Sequence, residues 1–341
     1  MVNISDVARA AGVSPSTVSR VLNQPDIVTP DKRDRVLAAI ARLNYQPSTF
    51  ARGLRRGTFE TLALLVGDIA QPFHGRLAKA VELAAEEKGY SVLLCDLDHR
   101  QDRLVGFLRS LPKRGIDGIL IATADNLDVP AVHEALTAFL AQDIAAVTTS
   151  QHLQSVPVPA VVVDRTAAAH DATRHLLDLG RWPVAFLGGG ASAYSQRLAD
   201  GYRAGCRDAG HRTQPRLMLD GGFQTEPAMR AVAALLAEGT IPEGIVAANV
   251  PMALGALRAL AERDLDVPDD VAIIVCEDVP VAAYMRPSLT CVSTDLDAYG
   301  RRAVDTLLAA VAGHDVPRVT VLPHTLILRD SAPAAVPPPG S

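Results

Sequence analysis

Val13-Ser14-Pro15-Ser16-Thr17-Val18-Ser19-Arg20-Val21-Leu22-Asn23 reads as a short helix with two unlike sides. Ser14 suits the N-cap, where its hydroxyl accepts a hydrogen bond from a free N–H of the first turn. Pro15 suits the first helical position, where its missing N–H costs nothing. Val18, Val21 and Leu22 recur at i, i+3 and i+4 and make one apolar stripe. Pro15, Ser16 and Arg20 fall on the opposite side. Small polar groups plus one Arg near a helix N-terminus suit a DNA major groove, where they reach base edges and Arg binds guanine O6 and N7 together.

A helix precedes this stretch, with Ser5 as its expected cap, Val7, Ala8 and Ala11 on one face, and Gly12 at its end. The turn Ala11-Gly12-Val13-Ser14 is short and contains Gly, as a helix-turn-helix requires. A third helix is expected after it, with Thr29 as cap, Pro30 at the first position, and Val36, Leu37, Ile40 and Leu43 at helical spacing. Three helices in about 45 residues give a miniature core, marginal on its own. The same pattern also fits a purely structural three-helix bundle. Charge leans towards DNA: residues 1–60 hold nine Lys/Arg against five Asp/Glu, whereas the remainder holds 24 against 33. A basic head on an acidic body directs the head to a polyanion.

Four segments carry a closer likeness: Ile4-Ser5-Asp6-Val7-Ala8, Ala11-Gly12-Val13-Ser14, Ser16-Thr17-Val18-Ser19-Arg20-Val21-Leu22-Asn23 and Leu43-Asn44-Tyr45-Gln46-Pro47. In order and spacing they closely resemble the DNA-binding headpiece of the LacI/GalR family of bacterial transcription regulators. The likeness extends to about residue 330. It implies a ligand-responsive repressor that binds a palindromic operator as a homodimer. Pro15, Ser16 and Arg20 are then expected at base edges, Thr17, Ser19 and Tyr45 at phosphates, and Ser14 and Asn23 on the same DNA-binding surface.

Residues 47–58 are expected to form a hinge. Pro47 to Gly57 spans only about two helical turns, marginal in water, and Gly53 costs about 1 kcal/mol relative to Ala. The segment is therefore expected to be unfolded alone and helical on DNA. The resemblance implies that it pairs with its dimer mate in the minor groove. There Leu54 wedges between base pairs and Arg55 reaches the narrow groove, the unstacking cost being offset by contacts to bent DNA.

From residue 61 the pattern changes. Thr61–Val66, Ser91–Cys95, Gly118–Ala122 and Ile144–Thr148 read as buried strands, with helices Phe73–Lys88, Arg100–Arg114 and Val129–Ala141 between them. The alternation restarts near Ala160 and continues to Val275. Short apolar runs alternating with helices argue for parallel, doubly wound sheets. Two such halves in series imply two subdomains with a cleft at the carboxyl ends of their strands. The expected class is thus an all-α helix-turn-helix headpiece (1–46) plus an α/β core of two doubly wound subdomains (59–330). The resemblance adds the fold of periplasmic binding proteins and three crossings near 162, 291 and 321. Those crossings divide the core into 59–162 with 292–321, and 163–291 with 322–330. The Pro-rich end, 331–341, is expected to be disordered. It has no Leu heptads, which favours a dimer over a coil-linked tetramer.

By the same resemblance, Phe73, His74, Asp164, Arg197, Phe223, Asn249 and Glu277 line the effector site. Several family residues are replaced here. Asp-Asn becomes Asp164-Arg165, Asn-Asp becomes Asn249-Val250, and Gly-Phe/Tyr-Asp-Asp becomes Val275-Cys276-Glu277-Asp278. One carboxylate is lost and Arg165 is added, which changes the polarity offered to a sugar.

Other chemistry has little support. Gly188-Gly189-Gly190 follows a strand, but neither GxGxxG nor GxxxxGK[ST] occurs, and no GxSxG elbow is present. No cofactor, metal or catalytic residue is expected. Cys95, Cys206, Cys276 and Cys291 form no CxxC pair and read as buried thiols of a reducing compartment. No apolar run is long enough to span a bilayer, and Asp6 and Arg9 interrupt any signal-peptide pattern. A cytoplasmic protein with no membrane partner is expected. The alternative from another class is a cytoplasmic small-molecule-binding protein whose head contacts a protein.

Overall fold

The structure, a computed structural model, describes residues 2–45, 58–190 and 192–334. The expected hinge with Leu54 and Arg55, and positions 335–341 of the expected tail, lie outside the described residues. The chain forms two compact units, Met1–Phe59 and Glu60–Ser341.

The first unit holds α1 (Ile4–Ala11), α2 (Pro15–Asn23) and α3 (Pro30–Leu43). The cap of α1 is Asn3 and not Ser5. Asn3 Oδ1 accepts from the Ser5 and Asp6 amides at 2.9 and 3.2 Å, and Asp6 Oδ2 accepts from the Asn3 amide at 3.0 Å. This reciprocal box satisfies free donors that a Ser at position 5 would leave open. Gly12 closes α1 in the left-handed region, φ 63°. Ser14 caps α2 as expected, with its Oγ 3.2 Å from the Thr17 amide. Thr29 stands at the cap position of α3, but its hydroxyl makes no cap bond. Leu37 is 49% exposed and lies outside the core. One residue past buried Val36 it is turned about 100° round the helix, so both cannot face inward. The core is Val7, Ala8, Ala11, Val18, Val21, Val36 and Ala39, with Ile40 and Leu43 packed against it.

The strands of the second unit are β1 (Thr61–Val66), β2 (Ser91–Asp96), β3 (Gly118–Ala122), β4 (Ala145–Thr148), β5 (Ala160–Val163), β6 (Val184–Gly188), β7 (Met218–Asp220), β8 (Gly244–Ala247), β9 (Ala272–Val275), β10 (Thr290–Ser293), β11 (Val319–Leu322) and β12 (Thr325–Ile327). Its helices are α4 (Pro72–Glu86), α5 (Gln101–Ser110), α6 (Pro130–Leu140), α7 (Arg165–Asp178), α8 (Ala193–Asp208), α9 (Thr225–Ala237), α10 (Val250–Ala261) and α11 (Leu296–Val311). Two six-stranded sheets result, in the orders β11-β5-β4-β3-β1-β2 and β12-β10-β9-β8-β6-β7. The first is parallel throughout, and in the second β12 runs antiparallel to β10.

Strand β1 shows why the first sheet is covered on both faces. Leu62, Leu64 and Val66 pack with Leu77 and Val81 of α4 and Tyr299 and Ala303 of α11. Ala63 and Leu65 point the other way, towards Leu104 and Leu108 of α5 and Leu136 and Phe139 of α6. Alternate residues of a strand serve opposite faces, so a doubly covered strand is apolar at every position. In the second half α7 and α8 approach closely at Gly201, where a Cβ would lie 2.1 Å from the Thr166 carbonyl.

The chain passes between the sheets after β5, after β10 and after β11. The expected start of disorder at 331 is corrected by the structure. Ser331 and Ala332 are fully buried. Ser331 bonds to Ile273 and Ser288 through its backbone, and its Oγ donates to the Ile273 carbonyl at 2.7 Å. The small side chains of Ser331 and Ala332 fit against β9, so the segment stays ordered despite the Pro-rich sequence after it.

Candidate functional site

The outer face of α2 carries the polar groups read from the sequence. Ser14, Pro15, Ser16, Arg20 and Asn23 are exposed, and Thr17 and Ser19 are half-buried. Inward, Val18 and Val21 anchor the helix. Ser14 Oγ also lies 2.8 Å from Ser16 Oγ and 2.9 Å from Thr17 Oγ1, so the first turn presents one linked hydroxyl cluster. Arg20 forms no ion pair with any described residue. Asn23 turns its amide back, donating to the Ser19 carbonyl at 2.7 Å. Tyr45 packs half-buried against the core.

One residue of this unit was missed. Arg35 of α3 grips the turn between α1 and α2, its Nη2 donating to the carbonyls of Ala11 at 2.6 Å and Gly12 at 2.9 Å. Those carbonyls end a helix and have no partner within it, so the guanidinium completes them. An Arg on a helix full of charges gives no sequence signal for this role.

In the second unit a cleft of about 510 Å³, counting its mouth, opens between the two sheets. Its walls come from the carboxyl ends of the strands. Phe73 and His74 follow β1, Thr149 and Ser150 follow β4, Arg165 follows β5, and Tyr194 follows β6. Phe223, Asn249 and Glu277 follow β7, β8 and β9. The expected Phe73, His74, Phe223, Asn249 and Glu277 therefore come together. Asp164 does not join them: it is exposed, and its Oδ1 caps α7 through the Ala167 amide at 2.9 Å. Arg197 is also outside the cavity wall. It reaches from α8 to the Ser150 carbonyl of the other subdomain, 3.4 Å from Nη1.

Each wall residue is held by its neighbours. Asn249 Oδ1 accepts from the Met252 amide at 2.9 Å, and its Nδ2 donates to the Phe223 carbonyl at 3.1 Å. Phe223 has a left-handed backbone, φ 58°. Its ring covers Gly189 so closely that a Cβ there would lie 2.2 Å from it. The triple glycine thus admits an aromatic ring and leaves no cradle for phosphate. Glu277 accepts from the Val250 amide at 3.1 Å, and burial pushes its carboxyl up to about 7. Burial also holds His74 below its ordinary value, with Nδ1 2.8 Å from the Asp68 carbonyl. His99 is raised by its hydrogen bond to Asp125, 3.0 Å away.

Arg165 is the cleft residue that resemblance did not supply. It is 8% exposed, and its guanidinium carbon lies 5.9 Å from the Phe73 ring centroid and 5.2 Å from that of Tyr194. Tyr194, Thr149 and Ser150 of the wall were missed. The signal for Arg165 was its position directly after a buried strand. Among the described residues no group of three or more His, Cys, Asp or Glu is placed to hold a metal ion. The four cysteines are free and buried. No helix among the described residues is long and apolar enough to cross a membrane.

Known proteins share both units. Residues 3–48 match the family model "Bacterial regulatory proteins, lacI family", and residues 173–332 match "Periplasmic binding protein-like domain". The Ribose operon repressor of Escherichia coli (strain K12) is 31% identical over 324 residues, covering 90% of this chain and 92% of that protein. The HTH-type transcriptional repressor PurR of Haemophilus influenzae (strain PittEE) is 29% identical, with 97% and 98% covered. A solved lac repressor dimer bound to operator and the anti-inducer ONPF superposes with a TM-score of 0.84 at 26% identity, covering 98% of this chain and 99% of that one. All three are repressors by name. The chain belongs to the lacI family of bacterial regulatory proteins: it is a DNA-binding transcriptional regulator with a helix-turn-helix head and a periplasmic-binding-protein-like core.

Proposed function

We propose that the protein is a cytoplasmic repressor that binds a roughly palindromic operator as a homodimer and answers to a small metabolite held in the cleft, without turning it over. The observation that carries this reading is one chain with two complementary surfaces. The face of α2 offers a hydroxyl cluster and an unpaired Arg20, and the cleft draws its walls from both sheets. The relatives' names support it: a ribose operon repressor, a transcriptional repressor, and a repressor dimer seen with operator and anti-inducer.

In this reading Pro15, Ser16 and Arg20 meet base edges, with Pro15 giving apolar contact alone. Thr17, Ser19 and Tyr45 meet phosphates, and Leu54 and Arg55 act in the minor groove. A two-fold axis repeats these contacts over two half-sites. Effector binding closes or reorients the two subdomains, and operator affinity changes only so far as the effector prefers one state.

Selection of random duplexes by the purified full chain, at stated salt, tests the reading. One palindrome with a flexible central step is expected. Salt-sensitive binding without a motif would overturn it if it persists when sugars, nucleosides and organic acids are added. Calorimetry with a recovered effector should show saturable heat and unchanged ligand. Product formation would point to an enzyme instead.

A further inference from the structure

We infer that the metabolite in the cleft is a small organic carboxylate, bound through its carboxylate by Arg165. This rests on the reading of the cleft as the effector site and names the class of effector.

The argument begins with an unmatched charge. Arg165 is nine-tenths buried, and an Arg keeps its charge at any ordinary pH and carries five N–H donors. No described residue forms an ion pair or a hydrogen bond with its guanidinium. Buried cations are normally paired, because an unpaired one costs several kcal/mol. Two aromatic faces, Phe73 and Tyr194, flank the group. They offset part of its desolvation but accept none of its N–H groups.

The nearest acidic wall residue does not cancel it. Glu277 accepts from the Val250 amide and makes no ion pair with Arg165. With its carboxyl pushed up to about 7, it is largely neutral below that pH. His74, held below its ordinary value, adds no positive charge at neutral pH. While Glu277 keeps its proton, the balance of the inner wall is therefore one fixed cation.

A second polar atom is also unsatisfied. The Oγ of Ser150, lining the same cavity, is buried and has no hydrogen-bond partner. Buried polar atoms left open in a folded protein call for an explanation. A planar guanidinium fork and an open hydroxyl on residues of one cavity suit the oxygens of a carboxylate. A phosphate dianion would gain from a second cation, which the lining lacks. Phe73, Tyr194 and Phe223 then present apolar faces to the carbon skeleton.

The test follows thermal unfolding of the full chain with benzoate and succinate, against benzamide, ribose, inorganic phosphate and ribose 5-phosphate at equal millimolar concentration. Benzoate or succinate should raise the Tm, while benzamide and ribose should not. In Arg165→Met the affinity for the active carboxylate should fall about 10–100-fold, as when a charged hydrogen bond is lost. The same variant should melt higher than the parent without ligand, because an unpaired buried charge has been removed. A lower Tm for ligand-free Arg165→Met would make Arg165 a structural member of the core and overturn the inference. So would a response to ribose or benzamide equal in both proteins, to phosphates alone, or to none of the six compounds. Duplex selection with the parent protein decides the regulator reading separately: a palindrome recovered without any carboxylate response sinks the inference alone.

Discussion

The rings of His99 and Phe223 stack across the cleft, with centroids 6.4 Å apart and planes 18° from parallel. His99 belongs to the subdomain of the first sheet and Phe223 to that of the second. Each is fixed from its own side: His99 by Asp125 and by Gln71 at 3.0 Å, Phe223 by Asn249 and by the space over Gly189. The pair therefore reports whether the halves are together. An aromatic pair of this kind contributes about 0.5–1.5 kcal/mol beyond its buried area. Phe223→Ala should weaken effector binding several-fold while lowering the stability of the ligand-free chain by a smaller amount, about the 0.5–1.5 kcal/mol of the pair, because Phe223 is only half-buried. Calorimetry beside a melting curve checks this. Equal losses in both would assign Phe223 to the core.

Arg35 carries a prediction about the head. Its guanidinium completes the Ala11 and Gly12 carbonyls at the turn that sets α2 against α1. Removing a charged donor from such acceptors costs about 1.5–3 kcal/mol. Arg35→Ala should speed amide hydrogen exchange in residues 11–18 and lower operator affinity for every sequence alike. Arg35→Lys should rescue only part, since an ammonium lacks the fork. Unchanged exchange would show the turn to be held by the core alone.

Much of this was legible in the residues. The apolar runs of β1, β3, β5 and β9 are buried on both faces and stand out as continuous Leu, Ile and Val. The three-residue β7, the short buried β10 and the edge strands β11 and β12 were not read. Val319–Leu322 and Thr325–Ile327 are half exposed, and with one face wet their apolar pattern is diluted. The cap of α1 was misplaced because Ser5 hid the better Asn3–Asp6 pair. The cleft residues were legible only through resemblance, since periodicity does not show which strand ends face each other. That route found Phe73 and Phe223. It passed over Tyr194 and gave Arg165 only as a departure that changes the polarity of the site. It also placed Arg197 in the cavity, where the structure uses it to join the halves through Ser150.

Arg20 is exposed on α2, unpaired with any described residue, beside the Ser14–Ser16 hydroxyl cluster. If it reads a base, Arg20→Ala should cost about 1–3 kcal/mol at the operator and relax the preference at one position per half-site. The Tm should not move, because the side chain is outside the core. Binding measured on the selected operator and its single-base variants checks this. A uniform loss across sequences, with a shallower salt dependence, would move Arg20 from a base to a phosphate.

Leu54 is proposed as the minor-groove wedge. Leu54→Ala should then weaken binding to the selected operator more than to random duplex, and should reduce the bend seen by gel phasing. Kinking of the duplex is what an apolar wedge contributes and what a plain linker does not. Equal bending by parent and variant would reduce the segment to a tether.

Glu277 sets a pH dependence whose direction follows from its surroundings. Burial raises the folded carboxyl from its ordinary 4.5 to about 7; the Val250 amide and Arg165 oppose the shift and Asp278 adds to it. Between those values the unfolded chain has lost this proton while the folded chain keeps it. The folded state is therefore the better proton binder, and stability contributed by this group falls as pH rises from about 4.5 to about 7. Above that the folded carboxyl also ionises and the loss stops growing. Glu277→Gln keeps the shape, and one of its oxygens can still accept from Val250, but it does not titrate. The variant should show a flatter stability profile over this window than the parent, and the two should differ most at its upper end. Anion binding at Arg165 should weaken in the parent as pH passes 7, when a carboxylate appears on the same wall, and should stay level in Glu277→Gln. Urea unfolding and calorimetry at several pH values measure both. Parallel profiles for the two proteins would place the Glu277 carboxyl in its ordinary range and remove it from the charge balance of the cleft.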